Sequence, residues 1–314
     1  MEGKQLTAHL KEVARESGFD DSGVCQARTW PEMLRLDEWL GRGYDAGMWY
    51  MGRRRALRVD PAAFFPLASR AFMVVKAYAA GAGEPSVGEG AATISRHAAG
   101  EDYHVAMRRM LEPLKRVLAD AGYRYRAFTD VAPVMEKVLA ARAGLGVIGR
   151  NTLLTHPRFG SWVYLGGIVT NAPLACDSPD IRPAACQDCR RCLDACPGGA
   201  LAADGSLDAR KCLSYWTTEA PDEELPRAIR LALGGRLFGC DRCQEVCPRN
   251  AGLKPRELVA PPRRTFPLAQ LQKLDEEGFL KVFGHTTLRR LGWTRFARNL
   301  GAIANPSATP DRSS

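Results

Sequence analysis

The sequence lacks the features of a membrane or secreted protein. No stretch approaches the roughly 18 consecutive apolar residues that a membrane-spanning helix needs. The first residues, Met-Glu-Gly-Lys-Gln, do not form the charged segment followed by an apolar stretch that marks a secretory signal. We therefore expect a cytoplasmic protein.

A nicotinamide-binding Rossmann site is also unsupported. The pattern G-x-G-x-x-G occurs at residues 144–149, but there it follows a predicted helix, whereas the dinucleotide fingerprint follows a strand. With 46% hydrophobic and 25% charged residues, the 314-residue chain has an ordinary globular composition, which excludes a disordered or collagen-like chain. Its length is sufficient for one large domain or two modest ones.

Acidic residues are fewer than basic ones. The chain has 44 Lys and Arg against 35 Asp and Glu, which gives a net charge of +9. Four arginines, Arg53, Arg54, Arg55 and Arg58, lie close together, and the stretch 281–300 has five basic residues and no acidic one. Such an excess suits a polyanion such as nucleic acid, although solvated helix faces would have the same composition.

Before the cysteines, the pattern alternates between helix and strand. The periodicity predicts helices over 4–17 and 104–121, a loop over 81–92, and strands over 71–78, 123–128 and 161–170. Asp130 follows the second strand, and Pro133 stands where the first turn of a helix tolerates proline, so Asp130 is a candidate N-cap. This order predicts an α/β (α+β) fold for residues 1–172.

Cysteine is the exception to the ordinary composition. Eight of the ten cysteines fall between Cys186 and Cys247, and a cytoplasmic chain has no oxidising compartment that would pair them as disulfides. Clustered reduced cysteines predict a metal site. The other two, Cys25 and Cys176, stand alone, and we expect both to be buried small hydrophobic residues.

The first run of cysteines has the bacterial ferredoxin pattern. Cys186, Cys189, Cys192 and Cys196 are spaced x2, x2, x3, and Pro197 follows directly. In that pattern the first three thiolates bind one 4Fe–4S cluster and the fourth binds another, so a second set of cysteines must exist. Zinc ribbons are the alternative, but they require neither this spacing nor the proline.

A second run supplies most of that set. Cys240, Cys243 and Cys247 are spaced x2 and x3, and Pro248 follows. No cysteine stands three residues before Cys240, which leaves Cys212 as the unassigned candidate. Crossed ligation then predicts cluster one from Cys186, Cys189, Cys192 and Cys247, and cluster two from Cys196, Cys212, Cys240 and Cys243.

Five short motifs occur in order ahead of the cysteines. They are Ser95-Arg96 with Gly100-Glu-Asp-Tyr-His104, Asp130-Val-Ala-Pro-Val134, Ala143-Gly-Leu-Gly-Val-Ile-Gly149, Asn151-Thr-Leu-Leu154, and Gly160-Ser-Trp-Val-Tyr-Leu165. Together with the cysteine array, they resemble the epoxyqueuosine reductase family over roughly residues 5–305.

The resemblance implies a reaction and its cofactors. This family is similar to cobalamin-dependent reductive dehalogenases and uses base-off cobalamin, without a protein histidine as cobalt ligand, together with two 4Fe–4S clusters. Its members reduce epoxyqueuosine to queuosine at the wobble position of tRNA, the final step of queuosine biosynthesis. Electrons come from an external low-potential donor through the clusters to cob(I)alamin, and the proton donor is the aspartate of the D-x-A-P-V motif, which falls on Asp130.

The resemblance also implies binding residues. Those expected to line the cobalamin pocket are Arg96, Asp102, Tyr103, His104, Asp130, Asn151, Thr152, Leu154, Ser161, Tyr164 and Leu165. The alternative for residues 96–104 is a solvent-facing turn that caps the following helix. The basic residues expected to contact the anticodon loop are Arg54, Arg58, Lys137, Arg289 and Arg290.

We therefore expect a monomer with four segments. These are a cobalamin-binding domain at 1–172, a ferredoxin-like two-cluster domain at 173–252, a helical HEAT-like segment at 253–305 and a disordered tail at 306–314. The alternatives are a reductive dehalogenase-like enzyme and an electron-transfer iron–sulfur protein. A dehalogenase carries a twin-arginine export signal, and the arginines Arg53–Arg55 lie too far into the chain to form one. An electron carrier would not need the first domain.

Overall fold

The chain folds into two compact units. The computed structural model describes residues 3–78, 90–177, 186, 188–222, 224–251, 253 and 263–307. The first unit comprises the described residues of Met1–Tyr78 and His104–Cys189, and the second those of Ala79–Tyr103 and Arg190–Ser314. No helix in these ranges is both long and apolar enough to cross a lipid bilayer.

The strands form three sheets. They are β1 (Asp21–Gln26), β2 (Arg70–Ala77), β3 (Ala91–Ile94), β4 (Tyr125–Thr129), β5 (Val147–Ile148), β6 (Leu154–Thr155), β7 (Val163–Thr170), β8 (Arg236–Phe238) and β9 (Thr265–Pro267). In the first unit, β1, β2, β7 and β4 form an antiparallel sheet in that order, and β5 pairs with β6. In the second unit, β3 lies between β8, which is parallel to it, and β9, which is antiparallel.

Helices alternate with these strands along the chain. They are α1 (Gly3–Glu16), α2 (Pro31–Gly41), α3 (Tyr50–Arg53), α4 (Arg55–Val59), α5 (Pro61–Phe64), α6 (Tyr103–Asp120), α7 (Glu136–Arg142), α8 (Arg191–Asp194), α9 (Leu213–Thr218), α10 (Arg227–Leu233), α11 (Arg242–Glu245), α12 (Leu268–Leu271), α13 (Glu276–Phe283) and α14 (Gly292–Ala304). The helix predicted over 4–17 is confirmed as α1, and it buries Leu6, Leu10 and Ala14 along one face. Pro31 occupies the first turn of α2, where its missing N–H is no loss.

The core of the first unit lies on both faces of its sheet. Residues 71–75 of β2 are all buried, as the uninterrupted apolar run predicts for a central strand covered on both sides. Met73 and Val75 pack with Val138 and Leu139 of α7. On the opposite face, the Met107 methyl group of α6 lies 3.1 Å from where a Cβ on Gly166 would be.

The core of the second unit is rich in aromatic rings. Phe279 and Phe283 of α13 pack against Phe296 of α14, with ring centroids 4.7 and 5.6 Å from Phe296. Leu288, Leu291 and Leu300 are buried in the same cluster. This core also includes Ile94 of β3.

Several sequence expectations need correction or stay open. The sheet of the first unit is antiparallel, so α+β describes it. Strand β3 begins inside the predicted loop 81–92, and it groups with the second unit because its hydrogen bonds go to β8 and β9. The predicted domain boundaries at residues 172 and 252 differ from the division into two units, in which the chain passes between the units near residues 79, 104 and 190. Residues 79–89 and 308–314, which include most of that loop and of the predicted disordered tail, lie outside the described residues.

One close approach fixes α7 against the sheet. A Cβ added at Gly23 in β1 would overlap the carbonyl oxygen of Ala143, the residue after α7. Gly23→Ala should therefore lower stability by about 1–3 kcal/mol, the usual cost of overpacking. Thermal unfolding of the purified protein under anaerobic conditions measures this.

Gly41→Ala is the matched control. Nothing lies within 4 Å of a Cβ added at Gly41, the last residue of α2. This variant should unfold at the wild-type temperature or slightly above it, because alanine loses less conformational entropy than glycine in a helix. Equal unfolding temperatures for the two variants would contradict the packing argument.

Candidate active site and cluster-binding cysteines

Asp130 lies directly after β4, on a turn that leads to α7. Its side chain is 49% exposed, and Oδ2 lies 3.1 Å from Nε2 of His104, whose side chain is 5% exposed. The expectation of an N-cap is wrong, because α7 begins at Glu136 and its N-cap residue is Met135. Asp130 is thus an accessible carboxylate held by a buried imidazole.

The sheet explains why His104 reaches Asp130. His104 and Met107 stand on one face of α6, since residues three apart are neighbours on a helix. Met107 packs over Gly166, and Gly166 is the β7 partner of Thr129, the last residue of β4. His104 therefore lies at the end of β4, where Asp130 follows.

Three further charged side chains surround the turn after β4. The charges of Asp130, Arg58 and Lys137 all act electrostatically on the Glu136 carboxyl group. Lys137 donates to the backbone carbonyl of Thr152 at 2.8 Å. Burial lowers the pKa of both Arg58 and Lys137. Arg58 and Lys137 are therefore not fully exposed cations. Their role in tRNA binding stays a prediction.

Sequence reasoning missed Glu136 as a member of this group. The available signal was two charged residues, Glu136 and Lys137, directly before a buried helical run. Burial raises the pKa of Glu136 to about 8, and the nearby Asp130 carboxylate acts in the same direction. The turn therefore carries two carboxyl groups with different environments.

A strained loop lies close to this group. Thr152 has a φ of 64°, in the left-handed region that a residue with a branched Cβ rarely adopts. Its neighbour Asn151 is 5% exposed, and the Asn151 Nδ2 has no hydrogen-bond partner among the described residues. A buried amide left without a partner is typical of a position that a ligand completes.

The remaining predicted pocket residues divide between the two units. In the first unit, Leu154, Ser161 and Leu165 are buried, and the Tyr164 ring lies 4.5 Å from that of Tyr78. In the second unit are Arg96, Asp102 and Tyr103. The backbone N–H of Arg96 donates to Asp241 at 2.7 Å, and that of Asp102 donates to His285 at 3.0 Å.

The structure brings together the four cysteines predicted for cluster two. Cys196 and Cys212 both act electrostatically on Cys243, as does Cys240. Burial raises the pKa of Cys240 to about 11 and holds that of Cys243 well above its usual value. Because iron ligands must be thiolates, the positive charge of a bound cluster would offset this penalty.

Backbone packing explains why the distant Cys212 joins this set. A Cβ at Gly198 would overlap the carbonyl oxygen of Lys211, so the absence of a side chain lets the segment before Cys212 approach the Cys196 loop. The backbone N–H of Asp208 also donates to Ala200 at 2.9 Å. Position 237, three residues before Cys240, offers no ligand, because the Leu237 side chain has no donor atom and packs in the core.

The other predicted ligands have identifiable surroundings. Cys186 lies near the strained loop, since its Sγ is 3.6 Å from where a Cβ on Gly149 would be. Cys247 lines an open cavity of about 570 Å³ between α8, which contains Cys192, and α11. Cys189 is partly exposed. In the described ranges, no three His, Cys, Asp or Glu side chains are arranged around a single metal ion.

The two isolated cysteines differ from each other. Cys25 is buried as predicted, and burial raises its pKa to about 12. The same prediction is wrong for Cys176, which is exposed because it follows the end of the sheet instead of lying within it.

Comparison with known proteins decides the family. The chain is 37% identical to the epoxyqueuosine reductase of Pseudomonas aeruginosa over 98% of this chain and 87% of that protein. It is 34% identical to that of Cyclobacterium marinum (96% and 98% covered) and 33% identical to that of Escherichia coli K12 (96% and 81%). The chain belongs to the epoxyqueuosine reductase family.

Family models and solved structures agree with this assignment. Residues 58–131 match the model described as epoxyqueuosine reductase QueG, DUF1730, and residues 185–250 match a 4Fe–4S double cluster binding domain. The fold matches a crystal structure of epoxyqueuosine reductase with an epoxyqueuosine-modified tRNA-Tyr stem loop, with a TM-score of 0.86, 31% identity and coverage of 96% of this chain and 81% of that one. The structure of the Bacillus subtilis enzyme with its catalytic loop swung out of the active site matches with a TM-score of 0.85, 30% identity and coverage of 96% and 82%. The cysteines of this family member therefore serve two iron–sulfur clusters, not zinc.

The grouping of Cys212 with Cys196, Cys240 and Cys243 makes a testable prediction. Wild-type protein purified anaerobically should contain about eight irons per chain, and Cys212→Ala should contain about four, because one cluster loses a ligand. Chemical iron analysis measures this. Cys176→Ala, which removes an exposed cysteine, should keep the wild-type iron content. Wild-type iron near four, or full iron in Cys212→Ala, would contradict the ligand assignment.

Proposed function

We propose that this chain reduces epoxyqueuosine to queuosine at the wobble position of tRNA, with Asp130 as the proton donor. The observation that carries the proposal is the accessible Asp130 carboxyl group, held 3.1 Å from buried His104 in a chain that matches the family over nearly its full length. Since tRNA is modified in the cytoplasm, the protein acts there, as a monomer without membrane attachment.

The reaction has a fixed demand for protons and electrons. Converting an epoxide to an alkene breaks both carbon–oxygen bonds, and the oxygen leaves as water. This consumes two electrons and two protons. An external low-potential donor supplies the electrons. Asp130 delivers a proton to the departing oxygen, because an unprotonated oxide is a poor leaving group.

Residues of the first unit fit the cobalamin of this family. The unpartnered Asn151 amide suits a cofactor whose rim carries many amide groups, and Thr152 is held in a strained conformation next to it. The residues of the first unit that would hold it are those predicted from the sequence, namely His104, Asp130, Asn151, Thr152, Leu154, Ser161, Tyr164 and Leu165. The same role for Arg96, Asp102 and Tyr103, which lie in the second unit, stays a prediction. Bound cobalamin, in its base-off form, supplies a strongly reducing cobalt centre.

The same loop offers a route for electron delivery. Cys186, a ligand of cluster one under the crossed rule, lies beside Gly149, two residues before Asn151. The first unit thus joins a cluster ligand to the loop that holds the cofactor. In this proposal, residues 1–172 form the cobalamin-binding domain and residues 173–252 the two-cluster domain.

Asp130→Asn tests the role of the carboxyl group. The variant keeps the shape of the side chain but cannot release a proton, so turnover should fall by roughly 100-fold or more. The assay is anaerobic reduction of an epoxyqueuosine-containing anticodon stem-loop, with the visible spectra of clusters and cobalamin recorded for both proteins. Those spectra should not change.

Asp120→Asn is the control for this experiment. Asp120 is an exposed carboxylate at the end of α6. Its substitution should leave turnover at the wild-type rate. Near wild-type turnover in Asp130→Asn would show that Asp130 is not the proton donor.

The tRNA would bind through exposed basic side chains. Arg54, Arg289 and Arg290 are exposed, whereas Arg58 and Lys137 are partly buried near Asp130 and would contact the substrate nucleotide from there. Arg289 and Arg290 stand on a helical turn between α13 and α14, helices that we interpret as the start of a HEAT-like pair. An anticodon loop offers single-stranded bases that a protein can turn into a pocket.

The salt dependence of binding tests this surface. Each phosphate neutralised on single-stranded RNA contributes about 0.7 to the slope of log affinity against log salt concentration. Arg289→Ala with Arg290→Ala should therefore flatten the slope for an anticodon stem-loop, and reduction of a short nucleoside substrate should not change. Binding is measured by fluorescence anisotropy at several salt concentrations.

The control removes two basic residues elsewhere. Arg15→Ala with Arg116→Ala changes the net charge equally but on α1 and α6, and it should leave the slope nearly unchanged. If wild-type affinity barely responds to salt, these residues form only a solvated surface.

A further inference from the structure

Trp49 is the most exposed large apolar residue in the described part of the chain, and it has no role in the reaction so far. It stands at the start of α3 and is 64% exposed. A single exposed apolar residue needs no explanation by itself. The surroundings of this ring therefore decide whether it has a function.

A tightly wound segment presents the ring at the surface. Between α2 and α3, Ala46 has a φ of 52°, in the left-handed region that residues other than glycine seldom adopt, and Gly47 follows with a φ of 79°. The backbone N–H of Trp49 donates to the carbonyl of Gly47 at 2.7 Å, and the Trp49 carbonyl accepts from the N–H of Arg53 at 3.0 Å. These bonds hold the backbone on both sides of the ring. Strain of this kind is typical of functional positions.

The neighbours of Trp49 are arginines and a second ring. The Arg53 guanidinium lies 5.4 Å from the centre of the Trp49 ring, and the Tyr50 ring stands nearly perpendicular to it with centroids 6.2 Å apart. On the Tyr50 ring, the Arg58 guanidinium lies 5.9 Å from the centre. Arg53 and Arg54 are exposed. An exposed aromatic ring among cations is the composition of surfaces that bind single-stranded nucleic acid.

The same segment packs beside the turn that carries Asp130. Met51 of α3 packs against the core cluster that contains Val134 of that turn. The ring of Phe64 in α5 meets the ring of Phe128, two residues before Asp130, with centroids 6.2 Å apart. The exposed ring and the proposed proton donor therefore belong to one packed region of the first unit.

Arg58 connects the two rings to the proton donor. Its Nε is buried and has no hydrogen-bond partner among the described residues. Burial lowers the pKa of Arg58, and the negative charge of Asp130 acts against that shift. A buried N–H without an acceptor is typical of a position that a ligand completes, and a phosphate oxygen is an acceptor that arginine binds well. An RNA strand whose nucleoside lies at Asp130 would thus pass Arg58 on its way to the exposed ring.

We propose that Trp49 is a stacking platform for an unpaired base of the anticodon loop, one that flanks the nucleoside held at Asp130. The face of an indole ring can stack on any base, since every base has a π face, and the nearby arginines supply the positive charge that the phosphates require. A base held in this way would keep the loop open while the neighbouring nucleoside enters the active site. This inference rests on the proposed reduction of epoxyqueuosine in tRNA.

Trp49→Leu tests the inference in the full chain loaded with clusters and cobalamin. Leucine keeps an apolar side chain but has no π face, so the affinity for a fluorescein-labelled anticodon stem-loop should fall by ~10-fold, within the range for one stacked base. The slope of log affinity against log salt concentration should not change, because the indole neutralises no phosphate. Trp49→Phe, which keeps an aromatic ring, should retain most of the affinity. Fluorescence anisotropy measures binding by all three proteins.

A series of abasic stem-loops tests the contact between the ring and one base. Each stem-loop lacks a different base of the anticodon loop. At one position, removal of the base should weaken binding to the wild type by ~10-fold and barely affect Trp49→Leu, because that variant has already lost the contact. If every abasic stem-loop weakens both proteins equally, no base stacks on Trp49 and the inference is overturned.

Leu231→Ala is the control for loss of an exposed apolar side chain. Leu231 is 48% exposed on α10, and its substitution should change neither affinity nor turnover. Wild-type affinity in Trp49→Leu would also overturn the inference, and a raised KM for a flavoprotein electron donor in that variant would assign the ring to a protein partner instead.

The binding measurements need no turnover, so they separate this inference from the proposed function. Stem-loop binding that does not depend on Trp49 overturns the inference alone. A wild type that shows the expected dependence on Trp49 but leaves epoxyqueuosine unreduced contradicts the proposed function alone.

Discussion

The pairing of β7 with both β2 and β4 determines where the chemistry of the first unit can lie. Thr129 is paired with Gly166, and the chain leaves the sheet one residue later, at Asp130. The two adjacent glycines, Gly166 and Gly167, allow Met107 and Phe128 to approach the strand closely. Without that approach, α6 would lie farther from the sheet and His104 could not reach Asp130.

The position of α7 resolves a tension in the chemistry of Asp130. A carboxylate at a helix N-terminus is stabilised as an anion, which would make it a poor acid. Because α7 begins only at Glu136, Asp130 is removed from that field and interacts instead with His104. Asp130 and Glu136, at the two ends of this turn, are thus carboxyl groups in different environments.

The sequence was sufficient for the features that depend on local spacing. The x2, x2, x3 cysteine pattern indicated two clusters, and crossed ligation grouped Cys212 with its distant partners. The sequence could not reveal features set by long-range contacts. The pKa of Glu136 depends on residues from other elements, and β3 joins the second unit only through β8 and β9. Cys176 was misjudged because exposure depends on where the sheet ends.

Cluster two also has a mechanical consequence for the second unit. The ligands that we predict for it come from three separate stretches of chain, at Cys196, at Cys212 and at Cys240 with Cys243, so iron bound there would tie these stretches together as a cross-link. Such a cross-link lowers the conformational entropy of the unfolded chain, and the effect is largest when it closes long loops. Oxygen damage to the cluster would thus loosen the fold as well as interrupt electron flow, and damaged molecules would become easier substrates for proteases.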